Sequence, residues 1–114
     1  MADCLFCRII DGDVPADQVP SGARTVAFRD IDPQAPTHIL IVPREHYANA
    51  AELAAADGDL LAELVRDARA IAAASGLAER GYRLIFNTGP DAQQSVEHVH
   101  LHLLGGRSFT WPPG

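Results

Sequence analysis

The chain has 114 residues, 47% of them hydrophobic, and a formal net charge of -6. That length fits one domain, expected to span residues 1–114, with a small core and little room for an internal cleft; subunit pairing would be a natural way to build one. All nine basic residues are scattered arginines, which excludes a basic face for polymeric nucleic acid but leaves room for one phosphate group of a small nucleotide.

Leu5 to Ile10 reads as a short helix ended by Asp11-Gly12-Asp13. Val14-Pro15 is irregular and Pro20-Ser21-Gly22 is a turn, followed by a short strand over Thr25-Val26-Ala27-Phe28. Asp30 to Pro36 carries two prolines and turn-prone aspartates, so no regular element is expected there. His38 to Val42 is a β-branched-rich strand stopped by Pro43. Leu60, Leu61, Leu64, Val65, Ala68, Ile71 and Ala72 recur at helical spacing, with Asp57 or Asp59 as cap and Gly76 as terminator. Tyr82 to Asn87 predicts a strand, Thr88 to about Ser95 a loop, and Val96 to Leu104 a last strand closed by Gly105-Gly106. The tail Trp111-Pro112-Pro113-Gly114 should be extended. Strands around one long helix, with a short N-terminal helix, imply an α+β fold with a mainly antiparallel sheet of about five strands. A wound parallel sheet does not fit, because only one stretch could serve as a crossover helix.

No apolar run is long enough to span a bilayer, and Met1-Ala2-Asp3-Cys4 lacks the basic start and apolar stretch of a signal peptide. The expected location is therefore cytoplasmic, with no membrane partner. In a reducing compartment two cysteines are thiols or metal ligands rather than a structural disulfide.

Three of the five histidines lie in His98-Val99-His100-Leu101-His102-Leu103-Leu104. In an extended chain alternate side chains share a face, so the imidazoles line one side and the aliphatics pack the other. A helix would scatter them by about 200° per step. Such a face suits metal binding or acid–base and nucleophilic chemistry near neutral pH, and its bland reading is a polar strand surface.

The run resembles the motif of the histidine triad (HIT) family. The resemblance extends from Cys4 to Gly114 through Phe28-Arg29-Asp30-Ile31, Pro33 to His38, Asn87, Gln94-Ser95-Val96 and Gly105-Gly106-Arg107, and the Trp111-Pro112-Pro113-Gly114 ending resembles the Hint branch of nucleotide-binding proteins. It implies a homodimer whose sheet continues across two copies, and hydrolysis of the P–N bond of purine nucleoside phosphoramidates (AMP or GMP conjugates) with no catalytic cofactor. It further implies that His100 attacks the α-phosphorus to give a nucleotidyl-histidine, that His102 helps the amine leave, and that His98 and His38 support the site. Asn87, Gly89, Gln93, Gln94 and Ser95 fall around the phosphate, Asp30 on the ribose, and Phe28 and Ile31 about the base. Trp111 would reach into the partner copy's leaving-group pocket. The stretch Ala92-Gln93-Gln94-Ser95 departs from the Gly-Gly-Gln-Ser common in Hint proteins, and Glu97 stands where relatives often carry an aromatic.

Cys4-Leu5-Phe6-Cys7 has the spacing of a zinc knuckle and needs two further ligands, which must be histidines because no other cysteine exists. Bacterial members of the family imply the set Cys4, Cys7, His46 and His98 around a structural zinc. Left open are a dinucleoside polyphosphate hydrolase or nucleotidyl transferase of the same family, a nucleotide- or partner-binding module, and a metal-handling protein using the histidine face.

Overall fold

A computed structural model describes residues 4–114; residues 1–3, part of the stretch read above against a signal peptide, lie outside that range. In chain order the elements are α1 (Leu5–Ile10), β1 (Gln18–Val19), β2 (Thr25–Arg29), β3 (Thr37–Pro43), α2 (Ala50–Ala56), α3 (Gly58–Ala74), β4 (Tyr82–Ile85), a 3-10 turn at Pro90–Ala92, and β5 (Leu101–Gly105). The strands form one sheet in the order β1-β2-β3-β5-β4, with every pairing antiparallel. The fold is the expected α+β class.

The period-two alternation of the strands sorts side chains onto two faces. Ala27, Ile39, Ile41, Leu101 and Leu103 point to one side and meet Leu53 of α2 and Leu60, Leu64, Ala68, Ile71 and Ala72 of α3 in the main core. Val26, Phe28, Leu40 and Val42 point to the other side and pack with Phe6 and Ile9 of α1. His38 and His102 belong to this second side by the same alternation. Because β3 is central and covered on both faces, six consecutive residues of it are buried, so it reads in sequence as a continuous apolar run.

Four expectations change. The helix expected after Asp57 is α3, with the Asp57 carboxylate accepting from the Leu60 N–H at 3.1 Å as its cap, but a further helix, α2, precedes it. Gly76, at φ +76°, ends α3 as expected. Strand β1 is an addition, since two residues carry no periodicity.

The last strand begins at Leu101, not Val96. Its ladder pairs Leu101–Gly105 with Thr37–Ile41 and goes no further. Beyond that point the Pro43 carbonyl accepts from the His98 ring, and the His98 carbonyl accepts from the His100 ring. Side chains thus take the groups that a longer ladder would need. Tyr82–Ile85 likewise stops two residues short of the expected Asn87. Among the described residues no helix is long and apolar enough to cross a membrane.

Candidate active site and metal cluster

His98 and His100 are buried in the segment entering β5, beneath Phe6 of α1, whose ring lies edge-on to both imidazoles at 6.0 and 5.0 Å between centroids. His100 Nδ1 lies 2.8 Å from the His98 carbonyl oxygen. A carbonyl only accepts, so Nδ1 carries the proton and Nε2 carries the free lone pair. Burial pushes the His100 pKa below the ordinary imidazole range, against the raising effects of that hydrogen bond and of Asp30, so the ring is neutral at pH 7. His100 borders a cavity of about 250 Å³ together with His102, Phe28, Asp30, Ile31 and Ser95, and with an apolar wall from Phe6, Ile9 and Leu40.

The proton positions on the next two rings follow from their partners. The Gln34 backbone N–H must donate to His38 Nδ1 at 3.1 Å, so His38 carries its proton on Nε2. That nitrogen lies 2.9 Å from His102 Nδ1 and 3.4 Å from the Asp30 carboxylate. His102 Nδ1 is then an acceptor, and its Nε2 is a donor. Burial, with the neighbouring His100 and His38 rings, pushes His102 down to about 4; burial also lowers His38. The site therefore holds a neutral imidazole with an open lone pair beside a neutral imidazole with an N–H.

The other residues singled out in the sequence divide. Phe28 is 4% exposed and Ile31 is 100% exposed, so one is a wall of the cavity and the other stands at its rim. Ser95 and Asp30 line the same cavity, and Asp30 Oδ1 also accepts from the Asp32 N–H at 2.9 Å. Asn87 turns its amide N–H to the Ala92 carbonyl at 2.8 Å, so it braces the loop. Gln94 accepts from the Gly89 N–H at 3.0 Å and donates to the Ala48 and Val96 carbonyls. Gly89 N–H and the Gln94 amide are therefore engaged within the loop rather than open to a phosphate. Gln93 is exposed at φ +61°, a left-handed conformation that favours glycine and costs a side chain roughly 1–2 kcal/mol. Trp111 is 84% exposed and does not line the His100 cavity.

His98 has no ring nitrogen free for proton transfer. Its Nε2–H donates to the Pro43 carbonyl at 2.9 Å, and its Nδ1 faces the cysteines. Both ring nitrogens are taken. Cys4 Sγ, Cys7 Sγ, His46 Nδ1 and His98 Nδ1 all lie within 4.8 Å of one another. His46 Nδ1 and His98 Nδ1 are 3.1 Å apart, and the sulfur–nitrogen separations Cys4–His98, Cys7–His46 and Cys7–His98 are 3.4, 3.4 and 3.5 Å. A tetrahedral zinc has edges of about 3.3 Å between two nitrogens and about 3.6 Å between nitrogen and sulfur. The donor set fits such an ion, and the Pro43 carbonyl is the outer partner that aims His98 Nδ1 at it. Desolvation and the adjacent Cys4 push the Cys7 thiol up to about 11, a penalty that a shared cation removes.

Sequence reasoning missed Phe6, the Pro43 carbonyl and the Gln34 N–H. Phe6 had a signal, since it sits between the two cysteines; the backbone groups had none.

The family model for the HIT domain matches residues 11–109, a span that contains all five histidines and leaves both cysteines outside. The chain is 50% identical over 112 residues to an uncharacterized HIT-like protein of Synechococcus elongatus, covering 98% of this chain and 97% of that one. It is 44% identical to a 14 kDa zinc-binding protein of Zea mays, over 96% of this chain and 87% of that one. Among solved structures, a HIT family hydrolase of Legionella pneumophila superposes with a TM-score of 0.94 at 51% identity, covering 98% of this chain and 100% of that one. The chain belongs to the HIT domain family.

The neutral rings carry a pH signature. Between about 4 and the ordinary value of 6.5, the unfolded chain protonates His102 while the folded chain does not. Stability therefore falls as pH drops through that window, and His38 and His100 act in the same direction. The urea midpoint should fall from pH 7 to pH 4, with a shallower slope in His102→Asn. A His102 ring titrating near 6.5 by NMR would contradict the burial described.

Proposed function

We propose that the chain is a hydrolase cleaving the P–N bond of purine nucleoside phosphoramidates. The observation that carries this reading is the His98 carbonyl on His100 Nδ1 at 2.8 Å, which leaves Nε2 as a neutral nucleophile beside the cavity. In the proposed reaction His100 Nε2 forms a bond to the α-phosphorus as the P–N bond breaks. The amine nitrogen keeps the electron pair and takes a proton from solvent. Water then displaces His100 and releases the nucleoside monophosphate.

The side chains around His100 suit the parts of such a substrate. His102 Nε2–H would donate to the phosphate or to the departing nitrogen, a task a neutral ring performs without requiring acid pH. Ser95 offers a hydroxyl to the phosphate, Asp30 a carboxylate to the ribose, and Phe28 with Ile31 two apolar surfaces to the base. Asn87, Gly89, Gln93 and Gln94 would act by shaping the loop that carries Ser95. A second copy, joined at the open edge of β4, would bring its Trp111 toward the amine side. Leu84 of β4 is 37% exposed and offers apolar surface for that contact. The expected compartment is the cytoplasm.

We further propose that Cys4, Cys7, His46 and His98 hold zinc. The ion would supply structure rather than chemistry, fastening α1 to the segments after β3 and before β5. The relative from Zea mays is named for zinc binding, which supports this reading.

Adenosine phosphoramidate should release AMP with the native chain, and His100→Ala should lower kcat/KM by at least about a thousandfold. Undiminished turnover in the variant would mean another nucleophile. Bound AMP with no native turnover would make the chain a binding module. For the metal, purified protein should carry one zinc per chain, lost in Cys7→Ser and kept in His100→Ala. Chelation should lower the melting temperature by on the order of 10 °C. Zinc-free protein whose melting is unaffected by chelators would rule the ion out.

A further inference from the structure

The proton on His102 is set at a distance. His102 Nε2 is a donor because Nδ1 accepts from His38, and His38 donates because the Gln34 N–H occupies its Nδ1, with the Asp30 carboxylate 3.4 Å from Nε2 favouring the same form. Gln34 lies in the irregular stretch between β2 and β3, where the helix and sheet ladders give it no support. The fixed point next along the backbone is the carbonyl of the same residue, in the adjoining peptide unit.

The carbonyl of Gln34 is gripped by Arg107, just past β5. Nε and Nη2 of the guanidinium both donate to it, at 3.2 and 3.0 Å. A third donor, Nη1, binds the Ser108 carbonyl at 3.2 Å, and the guanidinium carbon lies 4.1 Å from the centre of the Phe109 ring. Three hydrogen bonds and a stacked ring fix the fork's plane, which a lone surface arginine does not have. A second fastening lies beside it. Gly106 sits at φ +91°, and a Cβ there would meet Pro36 at 2.9 Å, so β5 and the Gln34 stretch approach as closely as glycine allows.

We propose that Arg107 is a positioning residue. By clamping the Gln34 carbonyl it holds the Gln34 N–H on His38 and thereby locks both His38 and His102 in the Nε2–H form. Its catalytic consequence rests on the hydrolase reading above; the lock itself does not. The clamp does not border the His100 cavity; Gln34, Arg107 and Phe109 line, with His38 and His102, a second cavity of about 290 Å³. Without it the Gln34 backbone loses the hold on its carbonyl side and keeps the bond from its own side chain to the Asp32 carbonyl at 3.0 Å, which leaves the N–H freer to leave His38 and the two rings freer to exchange proton positions. A His102 with its proton on Nδ1 would present a lone pair, not a donor, to the phosphate.

The test uses the full chain labelled with ¹⁵N in histidine, in native, Arg107→Ala and Arg107→Lys forms. Ring nitrogen shifts report which atom carries each proton with no ligand present. The native chain should show single Nε2–H forms at His38 and His102. Arg107→Ala should show averaged shifts at both, with its melting temperature and the His100 signals little changed. Its kcat on adenosine phosphoramidate should fall about tenfold, with KM altered less than about twofold. Arg107→Lys, which can still donate one hydrogen bond, should recover most of both readouts. Native-like ring shifts in Arg107→Ala would overturn the proposal whatever the rate. If the native chain does not hydrolyse the substrate, the hydrolase reading falls and the ring shifts alone decide the lock.

Discussion

The carbonyl of His98 is the joint on which both halves of the site depend. It holds the His100 ring at 2.8 Å and sets its proton. The side chain of the same residue reaches away, with Nδ1 among the cysteines and Nε2–H on Pro43. The position of one peptide is thus controlled by the metal cluster on one side and controls the proposed nucleophile on the other. Loosening the cluster would move the His98 backbone, and with it the tautomer of His100. This coupling would give the proposed zinc a route to the proposed chemistry without contact with substrate.

Burial does the rest of the electrostatic work. Four imidazoles crowd the end of β3 and β5, and desolvation is the largest cause lowering His38, His98, His100 and His102. Neutral rings each need a defined proton position, and backbone groups define them: the His98 carbonyl for His100, the Pro43 carbonyl for His98, the Gln34 N–H for His38 and through it His102. Backbone groups do not titrate, so the assignment holds over a wide pH range. The apolar layer of Phe6, Phe28 and Leu40 both closes the smaller core and keeps water from the rings, so folding and chemistry share one set of side chains.

Much of this was legible in the sequence, for reasons that differ by element. The alternation of histidine with valine and leucine over 98–104 placed the imidazoles on one side, because that pattern follows from the extended backbone whether or not a ladder forms. The boundary was wrong by five residues because side-chain hydrogen bonds compete for the carbonyls of His98 and Pro43, and a sequence pattern does not show that competition. Asp57 was read as a cap, yet the helix before it was not, since Ala50–Ala56 buries only Leu53 and leaves almost no periodic signal. The set Cys4, Cys7, His46 and His98 rests on the family resemblance, because with five histidines in the chain nothing in the spacing alone selects His46 and His98 as partners of the cysteines. Gln94, expected around the phosphate, uses its amide to brace the loop, and Asn87 gives one amide N–H to the same loop while lining a cavity with His38 and His102; residue type does not say where an amide points.

The central claim is that His100 Nε2 forms a bond to phosphorus. Rapid mixing with excess adenosine phosphoramidate, acid-free denaturing quench and intact-mass analysis with peptide mapping measure this directly. The account predicts a transient adduct of one adenylyl group on His100, formed before AMP appears at steady state and absent in His100→Ala. An adduct on another residue, or AMP release with no adduct at any time while turnover proceeds, would contradict it.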